Sequence, residues 1–96
     1  MDTNELMQHV ADERLDTPIL DGVGSLHEDA VVMTHDAGVW TVYLVDERDA
    51  IVRSTLKTFD SKSDALEHVL TKLRQVAAAR AALARMRARR SDRTAD

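Results

Sequence analysis

Val39-Trp40-Thr41-Val42-Tyr43-Leu44-Val45 is the stretch on which the fold turns. β-Branched, aromatic and aliphatic residues in unbroken succession fit a pleated, packed strand. Alternation sends Trp40, Val42 and Leu44 to one face and Val39, Thr41, Tyr43 and Val45 to the other. Both faces are apolar, and a strand covered on two sides sits in the interior of a sheet. Its sequence neighbours extend the same pattern. Residues 30–35 are apolar and β-branched and reach it through Asp36-Ala37-Gly38, a tight turn in which Gly38 accepts positive φ freely. Residues 51–59 follow the Glu47-Arg48-Asp49 turn. The stretch therefore predicts a three-stranded antiparallel meander.

Helices are expected on either side of it. Residues 3–15 place Leu6, Met7, Val10 and Ala11 on one face, with Leu15 about a turn further on. Thr3 or Asp2 caps the start and Asp16-Thr17-Pro18 ends it, because proline drives the preceding residue out of the α region. Ile19 and Leu20 read as a brief strand or a loop anchor. From Ser61 the apolar period lengthens to about 3.6, with Ser61 or Ser63 as cap and Ala65, Leu66, Val69, Leu70, Leu73, Val76 and Ala77 as the stripe. Further on, the chain is rich in alanine and arginine, and only Leu83 and Met86 are large and apolar. This helix is expected to outrun the sheet. The fold class is α+β in the order α-β-β-β-α, one domain over residues 1–90 with a disordered tail at 91–96.

Composition narrows the function. The chain has 96 residues, 44% hydrophobic and 31% charged, with no cysteine. Disulfides, thiolate metal sites and cysteine nucleophiles are thereby excluded, in keeping with a cytoplasmic protein. No apolar run reaches the roughly 20 residues of a membrane span. The four histidines, His9, His27, His35 and His68, fall in no metal-binding spacing, and no serine stands in a nucleophile-elbow context. Gly22-x-Gly24 lacks the setting of a phosphate loop. No catalytic, cofactor or metal site is expected, and the chain reads as a non-catalytic binding protein.

Charge is unevenly spread. Residues 1–72 carry 15 Asp/Glu against 6 Lys/Arg, and residues 73–96 carry 7 Arg against 2 Asp. An acidic body repels phosphates and attracts basic protein surfaces. Tyr43, beside charged turns, is a candidate interface anchor. Asp46, Glu47 and Asp49 form an acidic hairpin tip suited to a basic cleft, with His35 and Asp36 at the neighbouring turn as further candidates. The Arg-rich helix end points instead to nucleic acid. The α-β-β-β-α order is that of the double-stranded-RNA-binding domain, but its lysine cluster is largely missing at 61–67. A homodimer through the Ala/Arg helix is left open.

Trp40-Thr41-Val42-Tyr43, Asp46-Glu47-Arg48, Phe59-Asp60-Ser61 and the helix start Asp64-Ala65-Leu66-Glu67 together resemble small actinobacterial immunity proteins of polymorphic toxin systems. Those carry a Trp-x-Val-Tyr strand, a Glu-Arg-Gly turn and a Phe-Asp-Ser/Thr helix cap. The resemblance covers residues 19–73. It departs at Asp49, where that family prefers glycine, and at Leu66, where many members have cysteine. Gly38 to Ala65 also resembles a family of small uncharacterised Gly-x-Trp-x-Val domains. The first resemblance implies a cytoplasmic immunity protein that occludes the active cleft of a cognate toxin. The alternative is a nucleic-acid-associated regulator using the Arg-rich helix.

Overall fold

The computed structural model describes residues 1–24 and 26–94, with side chains described as far as residue 89. The elements are α1 (Thr3–Asp12), β1 (Ile19–Leu20), β2 (Val31–Asp36), β3 (Val39–Val45), β4 (Ile51–Phe59) and α2 (Lys62–Thr94). The strands form one mixed sheet in the order β1-β2-β3-β4. The antiparallel meander is present as β2-β3-β4. A fourth strand corrects the expected count: Ile19 and Leu20 pair in parallel with Val32 and Met33. Two residues are too few to show an alternation in sequence. What fixes them is burial, since Ile19 packs with Ala30, Val32 and Val45 on the sheet face away from the helices.

α1 is shorter than the apolar pattern suggests. The Asp2 side chain accepts from the Glu5 amide at 2.8 Å and caps its start. At its end Arg14 takes φ 53°, the Leu15 amide donates to the Val10 carbonyl, and the Arg14 amide donates to that of Ala11. This pair of bonds satisfies the last carbonyls and reverses the chain at Arg14, five residues before the strand. Leu15 still joins the core, but from beyond the helix. Pro18 is thus not what stops α1.

Both helices lie on one face of the sheet. There Leu6 and Val10 of α1 meet Val31, Met33 and Val42 of the strands and Ala65, Leu66, Val69, Leu70 and Leu73 of α2. Trp40, Leu44 and Phe59 pack at the margin, half-buried. A fully buried leucine such as Leu66 contributes about 1.5–3 kcal/mol by leaving water. β3 is apolar on both faces, with Val42 inaccessible on one and Val45 nearly so on the other. A two-residue turn joins β2 to β3, with Ala37 and Gly38 both at positive φ. On the face without helices, Gly24 lets the loop after β1 close on Ile19, because a Cβ there would meet Ile19 Cγ1 at 3.1 Å.

α2 starts after Ser61, whose hydroxyl accepts from the Asp64 amide at 3.4 Å. At 33 residues it spans about 50 Å, so it must leave a sheet built of strands of nine residues or fewer. Its last buried residue is Leu73, and every described residue from Ala78 to Arg89 is exposed. The α2 backbone is helical as far as Thr94, within the stretch 91–96 read from sequence as a tail. Residues 95 and 96 of that tail lie outside the described residues.

Candidate interaction site

The β3–β4 hairpin is built by its own acidic residue. Asp46 Oδ1 accepts from the Arg48 amide at 2.8 Å and the Ala50 amide at 3.0 Å, while the Asp46 backbone bonds to Ala50 and Asp49. The Asp46 carboxylate is therefore a structural member of the turn. Asp49 sits at φ 60°, in the left-handed region that favours glycine. Glu47 and Asp49 are exposed, and among the described residues neither side chain makes a hydrogen bond or ion pair.

One irregularity in the ladder lies beside this turn. Between the pairs Leu44↔Val52 and Val42↔Lys57, β3 advances two residues and β4 advances five. Thr55 fills the gap: its hydroxyl accepts from the Leu44 amide at 2.9 Å and donates to the Val52 carbonyl at 2.6 Å. Beside the bulge, Leu44, Val52 and Thr55 floor a concavity rimmed by Glu28, Asp29, Asp46, Glu47 and Arg48. Asp29, Leu44 and Thr55 also line a second concavity, walled by Val76, Ala79, Arg80 and Leu83 of α2. The two concavities adjoin through these three shared residues, one at the hairpin and the other where α2 leaves the sheet.

Arginines tie α2 to the loops around this groove. Arg80 pairs with Asp16, donates to the Glu28 carbonyl at 3.3 Å and lies 3.9 Å from Asp29. One turn and a half earlier, Arg74 holds Glu13 with two bonds of 2.8 Å. The Arg74 hydrogen bonds, with its charge, hold the Glu13 carboxyl below its usual range, helped by His9 at 3.2 Å. At the other end of the sheet, burial pushes the His68 pKa down, and Lys72 and Lys57 push the same way. His68 Nε2 is buried without a hydrogen-bond partner, and its ring lies 5.2 Å from that of Phe59.

The candidate residues read from sequence do not share one surface. Asp46, Glu47 and Asp49 lie at the β3–β4 hairpin. Tyr43 is half-buried on the helix-free face, packed against Ile19, Val32 and Val45. His35 and Asp36 sit at the opposite hairpin, some 20 Å away along β3. His35 stacks on its cross-strand partner Trp40, with ring centroids 4.3 Å apart and planes within 9°. Glu28 and Asp29 were missed as binding candidates, although an acidic pair just ahead of a strand was visible. Thr55 and the α2 wall carried no sequence signal. Among the described residues no group of three or more metal-ligating side chains forms, and no helix is long and apolar enough to cross a membrane. No protein-family model, curated protein or solved structure matches this chain.

Proposed function

We propose that this chain is a non-catalytic binding protein, an immunity protein that acts in the cytoplasm by pressing an acidic surface into the basic cleft of a cognate toxin. The observation that carries the reading is the convergence of four carboxylates, Glu28, Asp29, Asp46 and Glu47, against one cation, Arg48, on a concavity with an apolar floor. A cleft built for phosphates is positively charged, and such a rim complements it while Leu44 and Val52 exclude water. Asp49 projects from the same turn. Tyr43 packs against the cluster that holds Val45, a residue of the same lining, whereas His35 and Asp36 lie at the opposite hairpin, away from this contact.

Co-expression with a toxin encoded beside the gene tests the reading. The wild-type chain protects and forms a complex; Glu47→Lys with Asp49→Asn weakens both and keeps the fold. No complex and no protection from the wild-type chain overturns it.

A second reading, a nucleic-acid-associated regulator, draws on the exposed Arg85, Arg87 and Arg89. Its mark is binding to duplex DNA or RNA that falls steeply with salt.

A further inference from the structure

We propose that the part of α2 standing clear of the sheet is a homodimer surface, on which a second copy of this chain lays its own α2 in the antiparallel sense. The stripe that packs α2 on the sheet does not stop where the sheet does. Val76 and Ala79 wall the groove, and Leu83 and Met86 continue the line, 53% and 55% exposed. Spacings of three, four and three residues place the four on one narrow face, the seam of a paired helix. Ala79 within the line and Ala82 at its edge let a second backbone approach closely.

Charge identifies the occupant. Arg74 and Arg80 already meet Glu13 and Asp16 of their own chain. Among the described residues no carboxylate pairs with Arg85, Arg87 or Arg89, and α2 offers none between 73 and 89. Arg87 is about 10 Å along the helix from Arg80, which carries it away from the carboxylates that Arg80 reaches. Meanwhile Glu28 and Asp29 stand at the groove mouth beside Arg48, Lys72 and Arg80, and among the described residues the one ion pair to either carboxylate is Arg80 to Asp29, at a long 3.9 Å. One chain thus holds both halves of a complementary pair, out of each other's reach. A two-fold axis near Leu83 brings them together. Equal offsets then oppose, so residue 87 faces residue 79, which lines the groove with Asp29 and Leu44. Arg87 and Arg89 of each copy come to the Glu28–Asp29 rim of the other, and the contact is made twice, as an isologous interface requires.

A nucleic acid would use the arginines but leave Leu83 and Met86 idle and meet a repulsive acidic rim. A second copy satisfies all three features. The dimer and the toxin reading share the Glu28–Asp29 rim, but their tests are separate, because the toxin reading is tested through Glu47 and Asp49 and the dimer on the chain alone.

Sedimentation of the full chain alone, over a concentration series at low and high salt, tests it. The wild-type chain is expected to dimerise, more weakly at high salt. Leu83→Glu with Met86→Glu should weaken dimerisation at least about tenfold, with helicity by circular dichroism unchanged because both side chains are exposed. Glu28→Lys and Arg87→Glu should each weaken it, and the two combined in one chain should restore it. The inference is overturned if the wild-type chain stays monomeric at low salt, or if the double glutamate variant dimerises unchanged. It is equally overturned if the combined swap restores nothing, or if Arg87→Glu affects only nucleic acid binding.

Discussion

The Leu44 amide finds its partner in the Thr55 hydroxyl, 2.9 Å away, at the place where β4 has too many residues for a backbone carbonyl to serve. A buried amide left without a partner costs free energy, so one side chain sustains the irregular ladder and the groove floor beneath it. Thr55→Val keeps the shape and removes the oxygen. It is expected to destabilise by about 1–3 kcal/mol, read from urea denaturation. Thr55→Ser keeps the hydroxyl and should lose much less.

The β2–β3 turn carries strain of a different kind. A two-residue turn with positive φ at both positions favours Asn-Gly, yet the first position here is Ala37, at φ 50°. Ala37→Asn should raise the melting temperature, with a gain of about 0.5–1 kcal/mol. The same substitution on a regular strand would not stabilise, so the sign reports on the turn.

Two titrations set the response to acid. His68 has its folded pKa below the ordinary value of about 6.5, so the unfolded chain takes up a proton first as pH falls. Stability is therefore full above about 6.5 and declines as pH drops through the lowered value. His68→Leu should flatten that part of the profile. Glu13 is also depressed, by Arg74, and its contribution is present above the unfolded carboxyl range and lost as pH falls through the lower folded value. Glu13→Gln should remove the more acidic slope alone. Denaturant midpoints measured from neutral to acid pH separate the two.

Much of this fold was legible in local pattern. Two-sided apolarity marked β3 as interior, and the 3.6 period from Ala65 to Leu73 gave the face that meets Val42. Trp40 was expected in that core and does pack there, although at its margin under His35. Legibility failed where structure depends on partners distant in sequence. β1 exists because Ile19 and Leu20 pair with Val32 and Met33, and no feature of two residues announces that. α1 stops at a backbone reversal at Arg14, a conformation that arginine does not advertise. The site was only half visible for the same reason. Strand parity put Tyr43 opposite Leu44, but which face opens on the groove depends on a bulge that Thr55 sustains. The carboxylates at 28 and 29 reach those at 46 and 47 only because the Asp29 amide bonds to the Val45 carbonyl across the sheet.

The acidic hairpin supports the most discriminating test, because its three carboxylates have different occupations. Asp46 spends one oxygen on two backbone amides, so Asp46→Ala leaves both without that partner and should cost about 1–3 kcal/mol in stability. Glu47 and Asp49 are exposed, and their loss should leave stability within about 0.5 kcal/mol. Asp49→Gly also suits the φ of 60° and removes a charge without strain. If the hairpin meets a basic toxin cleft, Glu47→Lys should slow association several-fold and reduce the salt dependence of the rate, because rim charges act mainly on encounter. Asp49→Gly should have a smaller effect in the same direction. Stopped-flow association with the toxin, beside urea denaturation of each variant, separates the roles. Binding that tracks stability, lost with Asp46→Ala and untouched by Glu47→Lys, would mean that the hairpin only shapes the protein and that its charge does not recognise the partner.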